Sequence, residues 1–347
     1  MPKQTIAIIT GGKSPEHEVS LISAFNIAEA VDKSKFKTQI IGVSKNGVWY
    51  EIPLEEYSAA CKIGSKESHK ELVLQPFRNP AILYKDNLNQ GISADVIFPI
   101  IHGTNGEDGT LQGVLTHLGI PYVGPNTLGS AIGMDKDVTK KLAELAGVKV
   151  VPSAIAYKGA DIPYDRIIDE LGLPLFIKPV NMGSAVGVEK VELASELESA
   201  LNRAFEFDRK VLIEKAIVGR EVETAILGNR ILKVTGVGEI VIENDFYTYE
   251  NKYENDKAKV VIPAQNLSAK SVKLIQEMAL KTYRAAELSG MSRVDFFYVS
   301  DDEIYLNEVN TLPGFTNISM YPKLWAESGL SFTDLITELV GLAIEEA

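Results

Sequence analysis

The segment from Ser292 to Asn310 constrains this chain most. Ser292-Arg293-Val294-Asp295-Phe296-Phe297-Tyr298 and Tyr305-Leu306-Asn307-Glu308-Val309-Asn310 are β-rich runs, and Asp301-Asp302 between them fits a hairpin turn. A two-residue loop makes residue 300 face 303, Asp295 face Glu308 and Arg293 face Asn310. Side chains alternate along a strand, so Arg293 and Asp295 share one face, as do Glu308 and Asn310. Two carboxylates placed opposite each other repel. A divalent cation removes that conflict, and Asp, Glu and Asn oxygens suit Mg²⁺. On spacing alone, a hairpin carrying solvated acidic residues is an equally good reading.

The chain has 347 residues, which exceeds one typical core and predicts two or three domains. Its opening reads strand (residues 5–10), glycine turn (Gly11-Gly12) and helix. Ser14 is the expected helix cap, Pro15 the first helical residue, and Leu21, Phe25 and Ala28 the inner face. Further apolar runs at 38–44 and 94–101 make this a parallel α/β sheet. Residues 57–91 have poor periodicity and carry no assignment. Beyond Pro121 to Pro125, Asp135 caps a helix with Val138, Leu142 and Leu145 on one face and Gly147 at its end. Strand-like runs at 174–180, 186–191, 211–215 and 222–227 then predict a small α+β unit. In the last third, Ser268 caps a helix whose inner face is Val272, Ile275, Ala279 and Thr282, closed by Gly290. A C-terminal helix is expected at 331–345.

Composition narrows the function. The formal net charge of −12 repels phosphate backbones, so nucleic acid is not an expected partner. The single cysteine, Cys61, allows no intramolecular disulfide, and the four histidines are too scattered for a histidine zinc site. The N-terminus lacks a signal-peptide apolar run, and no stretch approaches the ~20 apolar residues of a membrane span. The expected location is the cytoplasm, with no membrane partner.

Four other segments carry chemistry. Phe176-Ile177-Lys178-Pro179 places a lysine at the end of an apolar strand, before the loop Asn181-Met182-Gly183-Ser184-Ala185-Val186-Gly187. Such a loop offers backbone N–H groups and a hydroxyl to phosphate, although its spacing is not that of a P-loop. Val211 to Ile217, with Glu221 beyond, could read a purine with its strand edge and hold ribose with its carboxylate. An ordinary strand surfacing at Glu214-Lys215 is the simpler reading of those residues alone. Residues 243–258, with Tyr247, Tyr249 and Tyr253 in a polar setting, fit a loop that closes over a ligand. His102 to Thr110 is glycine-rich and follows a strand, and Gly11-Gly12 with Glu16 occupies the equivalent place after the first strand. In an open α/β sheet these are the positions at which ligands bind. Neither is a dinucleotide fingerprint.

Taken together, these motifs resemble the D-alanine–D-alanine ligase family of ATP-grasp enzymes. The resemblance runs from Gly11-Gly12-Lys13-Ser14-Pro15-Glu16-His17 through His102 to Gly113, Met134-Asp135-Lys136, Ile177 to Gly187, Leu212 to Lys215, Phe246 to Tyr253 and Arg293 to Asp295. It continues through Glu308-Val309-Asn310-Thr311-Leu312-Pro313-Gly314 and weakens only near 57–91.

The resemblance implies a three-domain ATP-grasp fold. Residues 1–121 form an N-terminal parallel α/β substrate domain, 122–216 a central domain, and 217–347 a catalytic domain carrying the closing loop. It further implies ATP as co-substrate, with Lys136 and Lys178 on its phosphates and Ser184 and Lys252 also in contact. Glu214, Lys215 and Ile217 border the adenine, and Glu221 holds the ribose. Asp295, Glu308 and Asn310 hold two Mg²⁺ ions, or Mn²⁺ in their place. Glu16, His102, Lys252, Arg293, Gly314, Ser319 and Met320 contact D-alanine. Glu16, Ser184 and Tyr253 form a network, and Arg293 with the Gly314 N–H steadies the oxyanion. A homodimer is implied on the same ground. The related D-alanine–D-serine and D-alanine–D-lactate ligases are the alternative, and Lys252-Tyr253 argues against the lactate type.

Overall fold

The computed structural model describes residues 3–242 and 258–346. The chain begins with β1 (Gln4–Gly11), buried from Ile6 onward. The helix α1 (His17–Ala30) follows. It starts later than the sequence suggests. Glu16 is the N-cap residue and makes no side-chain cap bond, while Ser14 Oγ accepts from the Glu16 N–H at 3.1 Å. Ser14 thus shapes the entry turn, and the Glu16 carboxylate is left to other partners.

β2 (Phe36–Val43) and β7 (Val96–Pro99) flank β1 and run parallel to it. The predicted parallel sheet is only this part of a mixed, seven-stranded sheet. β3 (Trp49–Ile52), β4 (Lys70–Leu74), β5 (Ile82–Tyr84) and β6 (Asn87–Ile92) extend it antiparallel beyond β2. β4, β5 and all but the last residue of β6 fall within residues 57–91, for which the sequence carries no assignment. The connections from β4 to β5 and from β5 to β6 are too short for a crossover, which forces antiparallel pairing there.

The chain then passes through α2 (Thr110–Leu118), α3 (Thr127–Met134) and α4 (Lys136–Leu145). Asp135 caps α4 by accepting from the Val138 N–H at 3.0 Å. The face that α4 buries is not the apolar one. Thr139, Lys140 and Ala143 are buried, whereas Leu145 is 85% exposed. A four-stranded antiparallel sheet follows in the order β10-β9-β11-β8. Its strands are β8 (Ser153–Tyr157), β9 (Leu175–Pro179), β10 (Glu189–Val191) and β11 (Lys210–Lys215). Helices α5 (Tyr164–Leu171) and α6 (Leu197–Ala204) cover it through Ile167, Leu197 and Leu201.

The third sheet has five strands in the order β14-β13-β12-β15-β16. These are β12 (Arg220–Leu227), β13 (Lys233–Ile242), β14 (Ala258–Val261), β15 (Met291–Ser300) and β16 (Glu303–Asn310). Helix α7 (Ala269–Ala285) is capped by Ser268 and packs Ile275, Met278 and Ala279 on this sheet. It ends before Gly290, which instead precedes β15 with φ of +70°. Last come α8 (Met320–Glu327) and α9 (Phe332–Glu345). Their Leu324, Leu335, Ile336 and Leu339 return to the first sheet and share a core with Ile6, Ile8 and Phe98. No helix among the described residues is long and apolar enough to cross a membrane.

Candidate active site

Strand register builds one wall of the cleft. Ser300 faces Glu303, Asp295 faces Glu308 and Arg293 faces Asn310, while the middle of the hairpin is offset by one residue. Bulges at Asn307 and Val299 account for the offset and cancel each other. The first has a chemical consequence. Leu306 and Val309 both pack into the core, so the bulge lets Asn307 and Glu308, adjacent in sequence, both turn to the cleft. Lys178 Nζ donates to Asn307 Oδ1 at 3.3 Å, and Glu308 Oε2 lies 3.5 Å from Lys136 Nζ.

The register continues one strand further, because Glu223 on β12 faces Asp295. Glu223, Asp295 and Glu308 therefore form a row across three strands. The conflict expected between Asp295 and Glu308 is relieved by a protein cation. Arg293 Nε donates to Asp295 Oδ1 at 2.8 Å and Nη2 to Oδ2 at 2.7 Å. The same Nε lies 2.8 Å from Glu223 Oε2. All three groups are buried. A buried charge left alone costs several kcal/mol, so the fork between two carboxylates is what makes the cluster tolerable.

Segments far apart in sequence assemble the opposite wall. Ser184 Oγ donates to Glu16 Oε1 over a short contact. Glu16 Oε2 fits against Gly103, where φ is +73° and a Cβ would sit 2.7 Å from that oxygen. His102 Nδ1 points to the Leu312 carbonyl at 3.2 Å and to Glu107 Oε1 at 3.3 Å, and Nε2 lies 3.1 Å from Ser23 Oγ. Both neighbours of Nδ1 are acceptors, so that nitrogen carries a proton. Burial pushes the Glu107 carboxyl above its usual range, against the pull of His102. Ser319 Oγ accepts from the Thr316 N–H at 2.9 Å and reaches across Gly314, where a Cβ would lie 2.7 Å from it.

A third group stands beside the row. Lys178 on β9 contacts Glu214 Oε2 at 2.6 Å, and Lys140 on α4 contacts Glu214 Oε1 at 2.5 Å. Burial works to raise the Glu214 pKa, but the two lysines outweigh it and hold the carboxylate below its usual range. Lys136 Nζ donates to the Met182 carbonyl at 2.7 Å, tying α4 to the glycine-serine loop. In that loop Ser184 and Ala185 both have positive φ, 50° and 57°.

A cavity of ≈130 Å³ brings together Glu16, His102, Lys136, Ser184, Arg293, Glu308, Asn310, Gly314, Ser319 and Met320. Asp295 lies directly beneath, held by Arg293. Lys178, Glu214, Lys215, Ile217 and Glu221 do not line this cavity, and Lys215 is exposed at the end of β11. Lys252, Tyr253 and most of the expected closing loop lie outside the described residues. A second cavity, ≈420 Å³, is lined by a single carboxylate, Glu346, and by no lysine or arginine.

Sequence reasoning missed Glu223, Glu107, Asn307 and Lys140. Glu223 was recoverable, since it lies two residues beyond Glu221 in a strand already recognised. Nothing in the local pattern marks Lys140.

The donors fit a divalent metal. Asn310 Oδ1 is buried without a hydrogen-bond partner, and Glu308 stands beside it on the cavity wall. Two carboxylates and an amide are hard oxygen donors that leave coordination places for phosphate and water. No cluster of three His, Cys, Asp or Glu side chains suited to a metal occurs among the described residues.

Comparison with known proteins identifies the family. A family model described as D-ala D-ala ligase N-terminus matches residues 5–125, and one described as D-ala D-ala ligase C-terminus matches residues 142–341. The chain is 48% identical to the D-alanine–D-alanine ligase of Proteus mirabilis over 357 residues, covering 99% of this chain and 96% of that one. The D-alanine–D-alanine ligase structure from Coxiella burnetii superposes with a TM-score of 0.88 at 35% identity, over 99% of this chain and 96% of that one. A D-Ala:D-Ser ligase from Enterococcus faecalis gives the same TM-score, 0.88, at 40% identity, over 99% and 100% of the two chains.

Proposed function

The chain belongs to the D-alanine–D-alanine ligase family, and on that premise we propose that it joins two D-alanine molecules into D-alanyl-D-alanine, with ATP converted to ADP and phosphate. The observation that carries this reading is one cavity holding Glu16 and His102 on one wall and Arg293 and Gly314 on the other. Glu16 suits the ammonium of the first D-alanine. The carboxylate of that D-alanine then lies toward Arg293 and attacks the γ-phosphorus of ATP, giving D-alanyl phosphate and ADP. The amine of the second D-alanine, having lost a proton, adds to the acyl carbon, and phosphate leaves.

Each step needs something this chain supplies. Phosphoryl transfer needs its charge neutralised, which Lys136 and Lys178 do. The tetrahedral oxyanion needs donors, for which Arg293 and the Gly314 N–H are placed. Asp295, Glu308 and Asn310 would hold Mg²⁺, which when bound polarises the phosphate oxygens. Arg293 grips both oxygens of Asp295 and also reaches Glu223, so the arginine and a metal would compete for Asp295. We assign Tyr253 and Lys252 their roles over the site on resemblance. On the same basis the product serves peptidoglycan precursor synthesis, and the protein acts as a cytoplasmic homodimer.

The test is phosphate release from ATP with D-alanine alone and with D-alanine plus D-serine or D-lactate, the products weighed by mass spectrometry. D-alanyl-D-alanine should predominate at pH 6 and pH 8. A tyrosine side chain has no cationic form, so Tyr253 offers no positive charge to the lactate carboxylate. The 40% identity to a D-Ala:D-Ser ligase favours D-serine as the competitor to measure. A product that is mainly D-alanyl-D-serine would move the chain to that subtype.

A further inference from the structure

Lys140 is a buried lysine for which the reaction above has no use. Its side chain is 5% exposed and that of Glu214 2%, so neither reaches a ligand readily, whereas Lys178 is 13% exposed at the edge of the cleft. Among the described residues, Lys140 also donates to the Leu306 carbonyl at 3.3 Å. Burial pulls the Lys140 pKa down while Glu214 opposes it, and Lys178 is held above the usual lysine range despite its own burial. Glu308 and Glu221 act on these lysines from farther away.

The trio holds two positive charges and one negative. Without Lys140, Glu214 would cancel Lys178, and a phosphate approaching Lys178 would meet a neutral pair. With Lys140 present, Glu214 is shared and the trio keeps one net positive charge at its open end. We propose that Lys140 is a positioning residue for nucleotide binding: it occupies half of Glu214 and so leaves the charge of Lys178 available to a polyphosphate. This rests on the reading that Lys178 faces the phosphates of ATP.

The experiment measures the affinity of the full-length protein for MgATP and for inorganic tripolyphosphate, which has no base or ribose, by calorimetry. Lys140→Met should weaken both on the order of tenfold, the effect of one unit charge about 10 Å away at an effective dielectric of ~20. Lys140→Met/Glu214→Gln restores the net positive charge and should bring the tripolyphosphate affinity back to within about threefold of the parent. A role in packing alone predicts no such recovery, and a double variant as weak as Lys140→Met would overturn the proposal. Should Lys140→Met fail to fold, Glu214→Gln alone decides: it frees both lysines and should bind tripolyphosphate at least as tightly as the parent, and weaker binding refutes the inference. Lys178→Ala separates the two levels. If it leaves both affinities unchanged, the placement of Lys178 on phosphate fails; if it weakens them while Lys140→Met does not, only the present inference fails.

Discussion

On the sheet wall of the cleft, Arg293, Asp295, Glu308 and Asn310 owe their places to the pairing of two adjacent strands joined by a tight turn. On the loop wall, Glu16 meets Ser184 from 168 residues away, and Ser23 meets His102 across 79. Backbone ladders hold the first set, and single side-chain bonds together with glycine clearances hold the second. A substitution on the sheet wall therefore changes charge at fixed geometry. On the loop wall it changes geometry at fixed charge. The two walls should fail in kinetically different ways.

The largest expected effect is on the sheet wall. Glu308→Gln keeps the shape and the strand pairing but removes a negative charge where the metal is to be held. We expect kcat to fall about 10³-fold, with ATP affinity changed less than about tenfold, because the lost interaction matters most as charge develops on the transferred phosphoryl group. Steady-state rates and calorimetry at several Mg²⁺ concentrations check this. A near-normal kcat at low Mg²⁺ would remove Glu308 from the metal.

Gly103→Ala is the matching change on the loop wall. The residue has φ of +73°, and its new methyl would stand 2.7 Å from Glu16 Oε2 and 2.8 Å from Ser14 Oγ. Strain and displacement of Glu16 should raise KM for the first D-alanine roughly tenfold to a hundredfold and leave the affinity for ATP unaltered. If ATP affinity fell in parallel, the two walls would not be independent.

Glu223→Gln sharpens the comparison on the sheet side. Arg293 would lose one carboxylate and hold Asp295 more firmly, so the metal must compete harder. The Mg²⁺ concentration giving half-maximal rate should rise about tenfold, with kcat at saturating Mg²⁺ largely recovered. An unchanged Mg²⁺ dependence would show that Arg293 does not block the metal.

The same contrast explains what could be read from sequence. The hairpin register was legible because side-chain alternation and a two-residue turn determine it. The bulge at Asn307 was not, since no local pattern distinguishes an extra residue from a regular one. The caps of α4 and α7 are legible in Asp135 and Ser268, whose own side chains make the bonds. Ser14 was misplaced because a turn near Pro15 uses the same residues as a cap. The antiparallel extension at β4 to β6 went unseen for want of alternation: Asn87 to Gln90 are all exposed. Of the loop wall, only the general location was accessible, because which side chains meet there is decided by how distant segments pack.

The smallest effect tests α4, where periodicity and structure disagree at Leu145. Spacing makes Leu145 an inner-face residue, and truncating such a leucine typically costs 2–5 kcal/mol. The structure leaves Leu145 85% exposed and buries Ala143 and Lys140 instead, because this helix must deliver a charge to Glu214 rather than only apolar surface to the core. Gln has nearly the helix propensity of Leu, so Leu145→Gln removes little besides exposed apolar area. The expected change in unfolding free energy is within about 0.5 kcal/mol, with a midpoint shift under about 2 °C. Ala143→Gln, at a fully buried position in the core beneath the third sheet, should by contrast destabilise by about 2 kcal/mol or more through overpacking and a buried amide. Thermal unfolding of the two variants side by side decides the matter. If Leu145→Gln proved the more damaging, the helix would be rotated from the orientation described, and Lys140 could not reach Glu214.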